Sequence, residues 1–217
     1  MADFGSLIWL NSKHTNLVEV QLNEAIRIVS GVVCATPLVW LSLLSVLSNI
    51  IPSELRQKKA LCSLLFKTNQ LKNSILFDVI QDKPIQRLKS RECTLKIFED
   101  VKQFNINEHW TRLWNEASVY GNEIINDPTR KVSGTELERS TWVLFNRIRT
   151  HQGKCGACLF IWGIIQTPSC DCGASEQSIA HISMFCPLRY FHGSFTKLCE
   201  AKTNKALDWL RNLDIIL

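Results

Sequence analysis

Four residues of the types that bind metal ions lie within seventeen positions near the carboxyl end of the chain. The stretch "SCDCGASEQSIAHISMFCP" (169–187) contains Cys170, Cys172, His181 and Cys186 in the pattern C-x-C-x8-H-x4-C. Zinc prefers tetrahedral thiolate and imidazole ligands, and structural zinc sites commonly combine three cysteines with one histidine. The spacing therefore predicts a structural zinc site formed by these four side chains.

Local sequence signals indicate how the chain would bring these four residues together. Cys170 and Cys172 flank a single aspartate and precede Gly173, which favours a tight turn that aims both sulfurs at one point. The following residues predict a helix over 175–186, with Ser175 as its cap and Pro187 ending it. A turn and a helix would thus each supply two ligands.

Two other interpretations of the cysteines remain open from the residues alone. Cys155 and Cys158 form a C-x2-C pair that could join Cys170 and Cys172 in a site of four thiolates. Alternatively, the cysteines pack as small hydrophobic residues and His181 is a hydrogen-bonded polar residue. A redox role for the C-x2-C pair is not favoured, because no βαβ pattern surrounds it.

No motif in the sequence predicts an active site. A zinc deaminase needs H-x-E, but Ile182 and Ser183 follow His181. Two-metal nucleases and polymerases need clustered carboxylates, and the aspartates here are scattered along the chain. Four protein ligands also leave no open coordination position, so we expect a structural metal and a non-catalytic chain.

The elements that must position the site are predicted to be helices. Apolar residues recur at helical spacing, and cap and stop residues delimit helices over 17–30, from Thr36–Pro37 to about 48, from Ser53 to about 80, over 107–117, from Thr135 to about 151, and in the final residues. We find no sustained strand alternation, so the fold class is predicted as mostly α. The Gly-, Asn- and Pro-containing stretch 120–135 is the best candidate for a linker.

Composition and the amino-terminal sequence predict an intracellular location, nuclear or cytoplasmic. The start lacks the features of a secretory signal, and the most apolar run, 37–51, is shorter than the roughly 20 residues that cross a bilayer. We therefore expect no membrane association. In a reducing compartment, clustered cysteines favour metal binding over disulfides.

Basic residues concentrate in one part of this mildly basic chain, which has a net charge of +5. Residues 56–96 hold ten Lys and Arg against three acidic residues, which fits either a solvated helix face or contacts with a nucleic acid. Under the nucleic-acid interpretation the candidate contacts are Arg56, Lys58, Lys59, Arg147, Arg149 and Lys154. The alternative for Arg147 and Arg149 is pairing with Glu136, Glu138 or backbone carbonyls inside the fold.

Several segments resemble the carboxyl-terminal region of reverse transcriptases from non-LTR (LINE-type) retrotransposons, particularly the RTE-like and jockey-like groups. The resemblance rests on "FNRIRT" (145–150), a Trp-Gly, Cys-x-Cys-Gly, Glu-Gln, His and Cys-Pro in this order, and on the ending "ALDWLRNLDIIL". Upstream, "LNEAIRIVSGVVCATPLVWLSLLSVLSNIIPSELRQKKA" (22–60) is similar to the thumb that follows the polymerase palm, and "LIWLNSKHT" (7–15) to the join between them. Only about 81–130 resembles the family weakly.

The resemblance implies a helical, thumb-like segment over 7–80, a poorly defined segment and linker over 81–134, and a helical CCHC zinc-knuckle domain over 135–217. The family is an RNA-directed DNA polymerase, but the aromatic-x-Asp-Asp motif of its palm is absent from these residues. We therefore expect a non-catalytic transposable-element fragment that binds RNA or template–primer duplex with low specificity. The alternatives are a zinc-stabilised module that binds protein, and a pseudogene product without a role.

Overall fold

The computed structural model describes residues 15–45, 51–70, 104–215 and 217 of the chain. Across these ranges the regular structure is helical and contains no strand, which confirms the predicted fold class. None of the described helices is both long and apolar enough to cross a membrane. The basic residues between 72 and 96 lie outside the described ranges.

The helices follow the chain in a simple order. They are α1 (Thr15–Ser30), α2 (Leu38–Leu44), α3 (Ser53–Gln70), α4 (Ile106–Glu116), a 3-10 turn (Asn122–Ile124), α5 (Arg139–Thr150), α6 (Gly156–Ile161), a π-helical turn (His181–Phe185), α7 (Phe195–Cys199) and α8 (Asn204–Arg211).

Two predicted helix boundaries differ from the structure for local reasons. Helix α5 begins at Arg139 rather than after Thr135, because a turn closed by Leu137 N–H on Gly134 O occupies the preceding residues. Helix α2 ends at Leu44, before the predicted end near residue 48, because Ser45 has extended backbone angles.

The described residues belong to two compact units of the chain. The first comprises Met1–Leu22 with Ile51–Leu113, and the second comprises Asn23–Ile50 with Trp114–Leu217. The predicted segments 7–80, 81–134 and 135–217 divide the chain at different positions. The four predicted metal ligands all lie in the second unit.

Long-range hydrogen bonds to the end of α1 explain why residues 23–45 join the second unit. Asn146 Nδ2 donates to Ser30 O at 3.0 Å, and Arg139 Nη2 donates to Ile28 O at 2.7 Å. These carbonyls belong to the last turn of α1 and have no partner within the helix. Helix α5 therefore caps α1 across more than a hundred residues of sequence.

The stretch 120–135, predicted as a linker, lies inside the second unit. The buried indole of Trp40 donates to Tyr120 O at 3.3 Å, and that of Trp114 donates to Ile125 O at 2.7 Å. The two rings meet edge to face with centroids 4.9 Å apart. Two tryptophans thus fix this Gly- and Asn-rich stretch, although its composition is typical of a connection.

The core of the second unit lies next to the predicted metal site. It contains Phe145 and Ile148 of α5, Ile179 and Ile182 beside the ligand histidine, Leu198 of α7, and Ala206 and Leu210 of α8. Since Ile182 is fully buried, the backbone between His181 and Cys186 is anchored to this core. The segment that carries His181 and Cys186 is therefore packed against the core.

Candidate metal centre

The side chains of Cys170, Cys172, His181 and Cys186 converge, as the spacing predicts. Their ligand atoms all lie within 4.8 Å of one another. The Sγ atoms of Cys170 and Cys186 are 3.9 Å apart, and Cys172 Sγ lies 3.1 Å from His181 Nε2. Zinc–sulfur bonds of about 2.3 Å in tetrahedral geometry place two sulfurs about 3.8 Å apart. This cluster could hold a metal ion with little rearrangement.

A tight turn supplies the first two ligands. Cys170 N–H donates to Ala174 O, and Gly173 N–H donates back to Cys170 O, each at 2.9 Å. Gly173 has a φ of 92°, a conformation that residues with a side chain rarely adopt. The turn therefore brings both sulfurs to the same side, and glycine at this position makes it possible.

A short helical segment supplies the other two ligands, but it is shorter than predicted. Regular helix begins at residue 179 rather than at 175. The capping hydrogen bond is accepted by Ser178 Oγ, not by Ser175, and comes from His181 N–H at 3.2 Å. The segment closes with a wide π-type turn in which Cys186 N–H donates to His181 O at 2.7 Å. The bond places the two ligand residues at opposite ends of one turn.

The four ligands differ in exposure. Cys170 and Cys186 are buried, whereas Cys172 and His181 are half-buried. Burial raises the pKa of the Cys170 thiol, while a hydrogen bond from the Ala174 backbone lowers that of Cys172. At neutral pH, deprotonation of Cys170 on metal binding would therefore cost more free energy than deprotonation of Cys172.

Gln177 connects the Cys170 sulfur to the start of α6. Its Nε2 lies 3.7 Å from Cys170 Sγ, and its Oε1 accepts from Gly156 N–H at 3.0 Å. Its backbone is also fixed, since Gln177 N–H donates to Pro168 O at 2.7 Å. Gln177 thus orients one ligand, in the manner of residues that surround metal sites in other proteins.

Arg189 also contacts the cluster. Its guanidinium pairs with Asp171, which lies between two ligands, and with Asp214 at 2.5 Å, while Nη1 lies 3.9 Å from Cys170 Sγ. The arginine lowers the pKa of both carboxyls, and the carboxylates raise the pKa of Arg189 above its usual value. Local sequence does not indicate the role of Arg189, because its partner Asp214 lies 25 positions away.

The four-thiolate alternative is not formed. Among the described residues, the group that could hold a metal consists of Cys170, Cys172, His181 and Cys186. Cys155 instead belongs to the hydrophobic core with its side chain almost completely buried. Burial raises the pKa of the Cys155 thiol to about 11, so it is protonated at neutral pH.

The six candidate nucleic-acid contacts lie in different environments. Lys59 and Lys154 are exposed, and Lys58 pairs with Glu54 at 2.7 Å. Arg56 is half-buried and has an interaction partner. The two arginines of α5 both bind backbone carbonyls, which is the alternative stated above for them.

Arg149, one of the six candidates, is not exposed to solvent. Its side chain is fully buried, and its guanidinium donates to Cys199 O at 2.9 Å and to Ser133 O at 2.7 Å. Arg147, which is partly buried, donates to Gly31 O at 3.2 Å and to Leu217 O. A phosphate cannot reach Arg149 in this fold, so we correct that assignment.

An exposed apolar segment ends α6. Phe160, Ile161, Trp162 and Ile164 are all exposed, Ile161 at 77%. Gly163 lies among them with a φ of 71° and ends the helix. Exposed apolar residues that are consecutive in sequence, rather than single, are typical of interaction surfaces.

Comparison of the chain with protein-family models, with curated proteins and with solved structures finds no match in any of the three.

Proposed function

We propose that this chain is a non-catalytic, zinc-stabilised nucleic-acid-binding segment of the reverse-transcriptase type. The single observation that supports the proposal most is the convergence of Cys170, Cys172, His181 and Cys186. Three sulfurs and one imidazole suit zinc better than the harder calcium or magnesium ions, which prefer oxygen ligands. Zinc held by four protein ligands would stabilise the fold rather than activate water.

The proposed partner is RNA or a primed duplex, bound with little sequence preference. Lys59 of α3 and Lys154 beside α6 present exposed ammonium groups for phosphate contacts. The basic sequence over 56–96 would extend the contacts, although most of it lies outside the described residues. Binding of this kind depends mainly on counterion release and therefore weakens as salt rises.

A salt titration of binding to a short RNA tests this proposal. We expect log Kd of the zinc-loaded chain to rise linearly with the logarithm of the salt concentration. Each phosphate contact should add about 0.7–0.9 to the slope. Lys59→Gln should remove roughly one contact. Lys58→Gln is the matched control, since Glu54 already pairs with Lys58. A Kd that does not change between low and moderate salt would contradict the proposal.

A second candidate function is a zinc-stabilised module that binds protein. The exposed apolar residues at 160–164 favour it, because their burial would require a partner surface. Under this candidate, light scattering would show an oligomer that Ile161→Glu disrupts and Lys154→Glu does not. A monomer with salt-dependent nucleic-acid binding would favour the first function instead.

A further inference from the structure

A cleft of about 570 Å³ lies beside the metal centre, between residues 188–192 and α8 with the three residues that follow it. Its volume falls within the range of small-molecule sites, roughly 300–1,000 Å³. The lining includes the rings of Tyr190, Phe191 and Trp209, together with Lys205 and Asn212. The cleft therefore combines aromatic walls with an amide, a lysine and the carboxylates of Asp208 and Asp214.

Both sides of the cleft are held in place by the residues around the metal centre. The Trp209 indole donates to Arg189 O at 2.6 Å, and the Phe191 and Trp209 rings meet at 75° with centroids 6.0 Å apart. The Arg189 guanidinium pairs with Asp214 across the cleft and with Asp171 in the ligand turn. The shape of the cleft is thus coupled to the folding of the metal centre.

The cations in and beside the cleft differ in their ion-pair partners. Arg189 pairs with both Asp171 and Asp214, so these three groups together carry a net charge of −1, and Asp208 lies 3.5 Å from Arg211. The exposed Lys205 has no acidic group within ion-pair distance among the described residues. Lys205 is therefore the lining cation that is available to an anionic group.

We propose that this cleft binds one nucleotide of a single-stranded nucleic acid, with the base against Tyr190 and a phosphate at Lys205. Tyr190 is 41% exposed, so its ring is accessible for stacking, which tolerates any base. The Asn212 amide offers both a donor and an acceptor to a base edge. This inference rests on the proposed nucleic-acid function and assigns it a specific site.

A purely apolar ligand fits this cleft less well than a nucleotide. Such a ligand would cover Lys205 and Asn212 without providing hydrogen bonds, and burying unpaired polar groups is costly. A nucleotide supplies a flat aromatic ring, polar edges and an anion together. These three properties match the rings, the amide and the ammonium group of the lining.

Fluorescence anisotropy of the zinc-loaded chain with a labelled single strand of eight nucleotides tests the inference. The comparison strand is abasic and of equal length, so that both carry the same phosphates. We expect the abasic strand to bind at least about fivefold more weakly, the effect of one lost base–aromatic stack. Tyr190→Leu should cause the same loss, and Phe185→Leu, which changes an exposed ring outside the lining, should not.

The lysine variants provide a second comparison that does not depend on the aromatic wall. Lys205→Gln and Lys202→Gln remove the same charge from exposed positions on either side of Thr203, but only Lys205 lines the cleft. We expect Lys205→Gln to weaken binding of the normal strand more than Lys202→Gln does. Circular dichroism and zinc content should be unchanged in both variants.

The outcomes separate this inference from the proposed function. Equal affinity for the normal and abasic strands, with equal effects of the two lysine variants, would overturn the cleft site and leave salt-dependent binding intact. Absence of binding to any strand would overturn both.

Discussion

At the scale of single residues, two short segments of the chain each contribute two side chains to the metal centre. Cys170 and Cys172 lie in one turn and His181 and Cys186 in one helical turn, so local structure brings each pair together. The Arg189 contacts could not be predicted, because Asp214 approaches only after α8 has packed against the core. The local pairing of the ligands can be predicted from sequence, whereas the long-range contacts of Arg189 cannot.

Replacement of one buried ligand tests its role in metal binding. We expect Cys186→Ser to lose most of the bound zinc and to melt residues 165–190, because structural zinc contributes on the order of 10 kcal/mol of apparent binding energy. Zinc content after gel filtration and hydrogen exchange measure the two effects. Cys34→Ser is the control, since Cys34 is exposed and outside the cluster. Equal zinc in the two variants would refute the assignment.

The buried Arg149 illustrates what residue type alone cannot reveal. An arginine in a basic sequence is usually interpreted as surface, yet this one binds the carbonyls of Ser133 and Cys199. Burial lowers its pKa to about 10, so the guanidinium stays protonated at neutral pH. These two carbonyls come from other segments of the chain, and no local pattern indicates them.

Substitution of Arg149 should therefore affect stability rather than phosphate binding. Lysine cannot reach two carbonyls in the same fork geometry, and each hydrogen bond from a charged group contributes about 1.5–3 kcal/mol. We expect Arg149→Lys to lower the free energy of unfolding by roughly 3 kcal/mol in urea titrations. Arg211→Lys, at an exposed position, should change it by less than about 0.5 kcal/mol. Equal stability of the two variants would contradict the structural role.

At the scale of elements, the end of α1 was predicted correctly, whereas the helix starts predicted at Thr135 and Ser175 were not. The helix predicted over 17–30 ends at Ser30, and Gly31 follows it with a φ of 68°. The stretch 120–135, predicted as a linker, lies inside the second unit, where the indoles of Trp40 and Trp114 donate to its backbone carbonyls. Composition identifies turns but does not show what the turns pack against.

The packing at the end of α1 can be tested by comparing Gly31, which follows α1, with Gly163, which follows α6 and has a similar φ. Alanine at position 31 would need a left-handed conformation and would also overlap the Val143 side chain, whereas Gly163, with a φ of 71°, has open space around it. The conformational strain alone is roughly 1–2 kcal/mol. We expect Gly31→Ala to destabilise the chain clearly more than Gly163→Ala in urea titrations. Equal destabilisation would show that α1 and α5 do not pack as described.

At the scale of the whole molecule, the helical class was predictable from periodicity, but the division into units was not. Residues 23–45 join the carboxyl-terminal unit through contacts such as Asn146 with Ser30, which are more than a hundred positions apart. The likeness to the reverse-transcriptase tail remains a prediction, and the proposed function depends on it less than on the metal centre.

The most direct test of the account is zinc X-ray absorption spectroscopy on the intact wild-type chain. The account predicts one zinc per chain, with three sulfurs at about 2.3 Å and one nitrogen at about 2.0–2.1 Å. Four sulfurs, an oxygen-rich shell or a chain that binds no zinc would contradict it.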